Sequence, residues 1–300
     1  MSHYSQHLAD DTLAIFIFHG VIPEQRHRVR NYTRKHLESS AFAGVLDDLR
    51  ANGHPVSMND VIESSHGPAS LPPRAFAVTF DDGFRNNLTV AAPMLHERRI
   101  PAAFYVTSGW VEQNTIGWID QIEQAFEAVH TVCLQSSFET LNRAASTPEE
   151  KHALLTDIRA AVKFQTAIDP YDFAREVMTT LKYEPSPDPF LDQKMTWSEV
   201  AELAADPSHV VGGHGHTHRI LAGLSDDELA GELDQCLSLL SRATGKSARH
   251  FSYPDGFAGC YSPPVIDALQ RRGVECAPTA ESGVNAPGAD LFRLKRIFVV

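Results

Sequence analysis

Short apolar runs rich in β-branched and aromatic residues recur along the chain, and most are followed at once by polar residues or glycine. Runs of this length and composition are typical of strands that are buried on both faces. The sequence therefore predicts buried strands at residues 13–18, 75–80, 102–107, 209–212 and 251–253.

Helical patterns lie between these strands. Residues 41–49 carry apolar side chains at helical spacing, and two capping boxes, Thr196 with Glu199 and Ser225 with Glu228, indicate helix starts. Alternation of strand and helix favours parallel strands joined by helical crossovers. From this pattern alone the sheet is either an open, doubly wound sheet or a barrel.

The segment at about 114–193 interrupts this alternation. It contains three helical patterns, at 119–129, 148–163 and 171–182, ends in the proline-rich stretch 185–189, and shows no convincing strand. We therefore predict a single α/β domain over residues 1–300 with a helical insertion at about 114–193.

Composition and charge narrow the class of protein. With 43% hydrophobic and 21% charged residues, the chain has the composition of a folded globular protein. Its formal net charge of -12 argues against a nucleic-acid partner, which would need clustered lysine and arginine. The basic stretch 26–35 is interrupted by uncharged residues, so we interpret it as a solvated surface.

Features that would direct the chain out of the cytoplasm are not seen in the sequence. The first 20 residues have no basic segment before an apolar run, and no later run is long enough to predict a membrane span. The four cysteines form no Cys-x-x-Cys pair and are expected to be free thiols. We therefore expect a cytoplasmic protein, of undetermined oligomeric state.

Polar residues collect directly after the predicted strands. Because the carboxyl ends of parallel strands share one face of the fold, these residues are expected to converge on one site. They are His19 after the first strand, Asp81 and Asp82 after the second, His214, His216 and His218 after the fourth, and Pro254 and Asp255 after the fifth.

A metal ion would account for two of these groups. His214 and His218 can present two imidazoles to one ion, with a carboxylate completing a three-ligand set that leaves room for water. The spacing alone is weak, because the chain has 15 histidines. The adjacent carboxylates of Asp81 and Asp82 repel each other unless a metal binds there, although a helix cap or turn is an alternative. A magnesium site for phosphoryl transfer is disfavoured, because there is no glycine-rich phosphate loop with a following lysine.

At residues 79–83 and 214–218 the sequence resembles the polysaccharide deacetylase family, the carbohydrate esterases that share the NodB homology domain. Residues 197–256 and 294–298 are also similar to family members. The resemblance implies a distorted (β/α) barrel of about seven strands, Asp81 as catalytic base, and a divalent metal ion, most simply Zn²⁺, held by Asp82, His214 and His218.

The chain departs from the family pattern at two places. Gly215 stands where many members have a serine or threonine that braces the metal loop. Residues 252–254 replace an arginine motif that orients the base, so no catalytic arginine is assigned. Tyr253 and Pro254 resemble the branch that acts on exopolysaccharides. Those two residues, with Asp255 and His216, are candidate substrate contacts, although His216 is alternatively a solvent-facing residue or a competing ligand.

In that branch a histidine after the first strand serves as general acid, and His19 resembles it. The alternative is that His19 only caps the strand or packs under a loop. With His19 as acid, the resemblance implies removal of an N-acetyl group from an N-acetylated sugar by water that a metal activates and Asp81 deprotonates. The expected substrate is a carbohydrate precursor, for example lipid-linked or nucleotide-linked. Hydrolysis of an N-formyl group or a cyclic ureide, and carbohydrate binding without catalysis, are the alternatives.

Overall fold

The computed structural model describes residues 4–67, 70–136, 138–163 and 168–300. The chain divides into two compact units. The predicted insertion at about 114–193 corresponds to most of the second unit, which also contains the earlier residues 24–35. The first unit is Met1–Pro23, His36–Thr115 and Lys194–Val300, and the second is Glu24–Lys35 and Ile116–Gln193.

Strands and helices are numbered along the whole chain. The strands are β1 Leu13–Phe18, β2 Gly20–Ile22, β3 His36–Glu38, β4 His54–Pro55, β5 Ala75–Phe80, β6 Ala102–Val106, β7 Val132–Cys133, β8 Ala144–Ala145, β9 His209–Gly213 and β10 Ile297–Phe298. The α-helices are α1 Ser39–Asn52, α2 Met58–His66, α3 Ala92–Arg98, α4 Ser108–Gln113, α5 Trp118–Ala128, α6 Pro148–Val162, α7 Pro170–Leu181, α8 Trp197–Ala205, α9 Asp226–Thr244 and α10 Pro263–Gln270.

The first unit is built on a parallel sheet with strand order β10-β1-β5-β6-β9, and β4 also pairs with β5. Isolated parallel bridges carry the pairing on from β9 through Phe251 and His250 to Cys276, and another joins Ser282 to Arg296. The architecture is thus α/β with a parallel central sheet, consistent with the predicted distorted barrel. Regular ladders among the described residues do not close it into a ring.

The predicted strand at 251–253 is the largest error in the strand assignment. Phe251 makes one bridge, and the Ser252 amide still donates to the Gly213 carbonyl at 2.8 Å. Pro254 then has no N–H to donate, so the pairing cannot continue. Several strands of two or three residues were not predicted, because so few residues show no period: β2, β3, β4, β7, β8 and β10. The antiparallel pair of β7 and β8 corrects the expectation that the segment 114–193 has no strand.

Alternation along β5 separates two sides of the sheet. Phe76, Val78 and Phe80 pack in the core cluster that contains residues of α1. Ala75 and Ala77 belong instead to a second cluster, with Ile15 of β1. We call this second side the inner face. Because side chains alternate in a strand, Thr79 also lies on the inner face and, if the chain remains extended, Asp81 follows it.

The capping boxes predicted at Thr196 and Ser225 are both formed, at the starts of α8 and α9. Apolar residues on their buried sides, Leu203 and Leu233 among them, pack into the first unit's core. No helix within the described part of the chain is both long and apolar enough to cross a membrane.

The second unit has its own apolar core between α5, α6 and α7. Its residues 24–35 are tied to it by charge: Arg30 Nη2 lies 2.6 Å from Asp192 Oδ1, and both side chains are buried. The Glu127 carboxylate also accepts the amide N–H groups of Arg28, Val29 and Arg30. The interpretation of residues 26–35 as a solvated surface is therefore wrong for Arg30, which is charge-paired and buried.

Candidate active site and metal centre

Asp82, His214 and His218 come together at the carboxyl ends of β5 and β9. Their potential ligand atoms all lie within 4.8 Å of one another. Asp82 Oδ1 is 3.6 Å from His214 Nε2 and 3.4 Å from His218 Nε2. This oxygen is buried and accepts no hydrogen bond within the described residues. A buried carboxylate oxygen facing two imidazoles fits a divalent cation.

The orientation of His214 is set by a backbone contact. Its Nδ1 lies 2.8 Å from the Ser252 carbonyl oxygen, which can only accept a hydrogen bond. Nδ1 must therefore carry the hydrogen, which leaves the Nε2 lone pair facing Asp82. Burial lowers the pKa of His214 more than the nearby Asp81 carboxylate raises it, which favours the neutral form that binds metals.

The loop from His214 to His218 is held in an unusual backbone conformation. Gly215 and His218 have φ values of 76° and 63°, and the His218 ring stacks on Trp110 with centroids 4.8 Å apart. A side chain at Gly215 would be strained by its φ, and its Cβ would also lie only 3.2 Å from Pro254 Cγ. Glycine is therefore the residue that this position accommodates with least strain.

The brace missing at Gly215 is supplied by Glu232 of α9. Its Oε2 accepts the amide N–H groups of His216 at 2.7 Å and Thr217 at 3.0 Å, and its Oε1 accepts the Thr217 hydroxyl. Sequence reasoning missed Glu232. The sequence contained one signal for it: an acidic residue at a position of α9 where the helical spacing predicts an apolar one, three residues after Leu229 and next to Leu233.

Asp81 is paired with a buried arginine that sequence reasoning also missed. Arg296 donates from Nη1 to Asp81 Oδ1 at 2.9 Å and from Nη2 to Oδ2 at 2.8 Å, and it is 0% exposed. Burial by itself raises the pKa of Asp81, but the charge and hydrogen bonds of Arg296, together with the charges of His214 and His19, lower it below its ordinary value. The arginine lies in the segment 294–298, where similarity to the family was noted without a role.

His19 follows β1 beside Asp81. The Asp81 amide donates to the Phe18 carbonyl at 3.0 Å, and the buried Asn87 side chain donates to the His19 carbonyl at 2.8 Å. Burial raises the pKa values of Asp81 and Asp82, and His19 is one of the nearby groups whose charge lowers them. His19 therefore lies near both carboxylates, and its role as general acid stays a prediction.

The four predicted substrate contacts are placed differently. Tyr253 is 0% exposed and its hydroxyl donates to the Phe292 carbonyl at 3.1 Å, and Pro254 is also buried. This placement argues against direct contact of either side chain with a substrate. Asp255 and His216 are part-exposed, and His216 Nδ1 lies 2.9 Å from Ser108 Oγ. His216 lies outside the metal cluster, so a competing-ligand role has no support.

Comparison with known proteins gives a family match. The sequence model of the polysaccharide deacetylase family matches residues 69–175 and 176–277, which is more than half of the chain. Poly-β-1,6-N-acetyl-D-glucosamine N-deacetylase of Escherichia coli K12 is 37% identical over 77 residues, 25% of this chain. The aligned region spans only 12% of that curated relative.

Two solved structures resemble nearly the whole chain. IcaB from Ammonifex degensii has a TM-score of 0.61 at 20% identity, with 98% of this chain and 94% of that chain covered. The deacetylase domain of BpsB from Bordetella bronchiseptica has a TM-score of 0.58 at 18% identity, with 97% of each chain covered. At these identities the likeness establishes a shared fold.

Proposed function

This chain belongs to the polysaccharide deacetylase family, and from that premise we propose that it is a metal-dependent amide hydrolase that removes the acetyl group from an N-acetylated sugar. One observation carries the proposal. Two consecutive aspartates have different partners: Asp82 faces the imidazoles of His214 and His218, and Asp81 is held by Arg296. Two adjacent buried carboxylates with separate partners are suited to two separate roles.

The residues Asp82, His214 and His218 would hold the metal ion. Two neutral imidazoles and one carboxylate with an open position suit Zn²⁺, which we propose as the resident ion. When bound, such an ion lowers the pKa of a coordinated water and polarises the amide carbonyl.

The remaining steps belong to the protein's own side chains. Arg296 keeps Asp81 ionised. Asp81 takes a proton from the attacking water while the oxygen of that water bonds to the acetyl carbon. His19 gives a proton to the amide nitrogen as the C–N bond breaks, because an amine leaves poorly without one. The products are acetate and a free amino sugar.

For the substrate we propose an N-acetylated hexosamine in a saccharide chain or in a lipid-linked or nucleotide-linked precursor, met in the cytoplasm. The E. coli relative is named for an N-acetylglucosamine polymer, which supports this class of sugar. The sequence has no cluster of lysine and arginine residues of the kind that binds nucleic acid, and we propose no nucleic-acid partner.

The test measures acetate release from N-acetylglucosamine oligomers and from a lipid-linked and a nucleotide-linked N-acetyl sugar. It also measures formate release from an N-formyl sugar and ring opening of a cyclic ureide. Each is assayed after chelation and after return of Zn²⁺, with metal content determined by elemental analysis. We expect acetate from at least one N-acetylated sugar, lost on chelation and restored by the ion. Turnover of only the N-formyl sugar or the ureide, or turnover unaffected by chelation, would contradict the proposal.

A further inference from the structure

Phe257 is an exposed aromatic residue in the loop that follows the predicted substrate contacts. It is 42% exposed, and its ring stacks on Phe298 of β10 with centroids 6.0 Å apart and ring planes 11° from parallel. Among the described residues of the first unit, the other exposed large apolar side chains are the aliphatic Val284 and Val300. The pair thus forms an aromatic surface that the mechanism above does not use.

Strand register places this surface beside the catalytic residues. Phe298 pairs with Ile17 of β1, two residues before His19. Strands lie about 4.8 Å apart and rise about 3.3 Å per residue, so the Cα atoms of Phe298 and His19 are separated by roughly 8 Å. Arg296 reaches Asp81 on the inner face, and by alternation Phe298 projects to that same side.

The loop that carries Phe257 is held in one conformation. Asp255 and Gly256 have φ values of 60° and 63°, and a Cβ on Gly256 would lie 2.8 Å from the Ala280 amide nitrogen. Ala280 donates to the Gly256 carbonyl at 2.8 Å, and Cys260 donates to the Phe257 carbonyl at 2.9 Å. The exposed ring is therefore presented by a braced turn, which limits the entropy lost on binding.

We propose that Phe257 and Phe298 form a platform on which a second pyranose ring of a saccharide chain stacks while the neighbouring residue is deacetylated. This inference rests on the proposed function and narrows its substrate to an oligosaccharide or polysaccharide. The apolar C–H face of a pyranose buries its surface against an aromatic ring without needing a charged partner. An amino sugar already freed of acetyl gains cation–π attraction at the same rings.

Placement of the predicted contacts supports this assignment. Tyr253 and Pro254 are buried, whereas Phe257, three residues beyond Pro254, is exposed at the same end of the strands. We therefore assign the aromatic contact with the sugar to the exposed Phe257 and not to the buried Tyr253. The platform selects for chain length, since a monosaccharide in the reacting position does not reach it.

The experiment compares Phe257→Ala and Phe257→Trp with the native protein in its Zn²⁺-loaded form. Substrates are the pentasaccharide and the methyl glycoside of N-acetylglucosamine, and kcat/KM is measured from acetate release. Val284→Ala is the matched control: it removes an exposed apolar side chain next to Asn285, which pairs with Leu13 at the opposite end of β1. Calorimetric binding of both sugars is measured in parallel.

We expect Phe257→Ala to lower kcat/KM on the pentasaccharide by about tenfold, with the methyl glycoside changed less than about twofold. Phe257→Trp should retain the native preference, and Val284→Ala should change neither substrate. Equal losses on both sugars, or an unchanged pentasaccharide value, would overturn the platform. If the native protein releases no acetate, the deacetylase proposal fails. The binding measurements then test the platform separately. Weaker pentasaccharide binding in Phe257→Ala supports the platform, and unchanged binding overturns it.

Discussion

Arg296 and Asp81 form a two-bond ion pair inside the barrel-like sheet, with Nη1–Oδ1 and Nη2–Oδ2 distances of 2.9 and 2.8 Å. The arginine also donates to the Thr279 carbonyl at 2.6 Å and to Ser252 Oγ at 2.9 Å. Such a fork fixes the plane of the carboxylate as well as its charge. Arg296 thus serves as a positioning residue for the proposed base.

Replacing this arginine should alter the pH dependence of catalysis. In Arg296→Met, burial of Asp81 is no longer opposed by the arginine, so the pKa of Asp81 should rise. The base is active when ionised, and the acidic limb of the kcat/KM profile should therefore move to higher pH. Arg296→Lys retains the charge without the fork and should shift the limb less.

The stability of the same variants provides a second measurement. Leaving Asp81 buried without its partner should cost about 3 to 5 kcal/mol of unfolding free energy in Arg296→Met. Arg293→Met is the control, because Arg293 pairs with Asp290 on the surface. Its pH profile should match the native one. An acidic limb that stays in place in folded Arg296→Met would show that another group sets the ionisation of Asp81.

The two adjacent aspartates should separate metal binding from catalysis. Asp82→Ala, His214→Ala and His218→Ala should each bind Zn²⁺ much more weakly, because each removes one of three ligands. Asp81→Asn should retain the metal and lose turnover by about 10² to 10⁴, as for a lost general base. Metal content by elemental analysis and acetate release are measured on the same samples. Retention of metal by Asp82→Ala and its loss from Asp81→Asn would reverse the assignment.

The effect of replacing His19 on turnover should depend on how much the leaving group needs a proton. His19→Ala should lower turnover of an N-acetyl sugar by about 10² while an aryl acetate ester, whose phenolate leaves unprotonated, is affected much less. The measurement is the ratio of the two rates at constant metal content. Similar losses on amide and ester, or loss of metal, would assign His19 a structural or ligand role.

Glu232 should act on the metal through the loop that carries His214 and His218. Glu232→Ala leaves the amides of His216 and Thr217 without their acceptor, and we expect Zn²⁺ affinity to fall about 10- to 100-fold, as for other outer partners of metal ligands. The control is Glu228→Ala, which removes an exposed capping residue of the same helix. That variant should lose about 1 kcal/mol of stability with its metal affinity unchanged. Equal affinities in the two variants would exclude a brace at Glu232.

Local sequence determined most of the elements and the metal cluster. The strands 13–18 and 75–80 were predicted with the observed bounds, because long apolar runs bounded by polar residues have few other interpretations. The helices of the second unit were predicted within one residue of their observed bounds. Two of them, α6 and α7, begin with a proline after a side-chain cap, which marks their starts. Asp81, Asp82, His214 and His218 were placed at one site in advance because they follow strands, and parallel strands end on one face. The resemblance to the family then implied that Asp82 is the carboxylate ligand, and the structure brings it together with His214 and His218.

Tertiary structure alone decided which distant groups complete the site. Arg296 meets Asp81 across 215 residues of chain, and no local pattern records a contact of that separation. Glu232 contacts the metal loop through the packing of α9, and Tyr253 is buried because Phe292 supplies its acceptor. Hydrophobic periodicity determines which face of an element is buried, but it does not determine what lies against that face. In the same way, only the tertiary structure shows that Tyr253 is buried whereas Phe257, four residues later, is exposed.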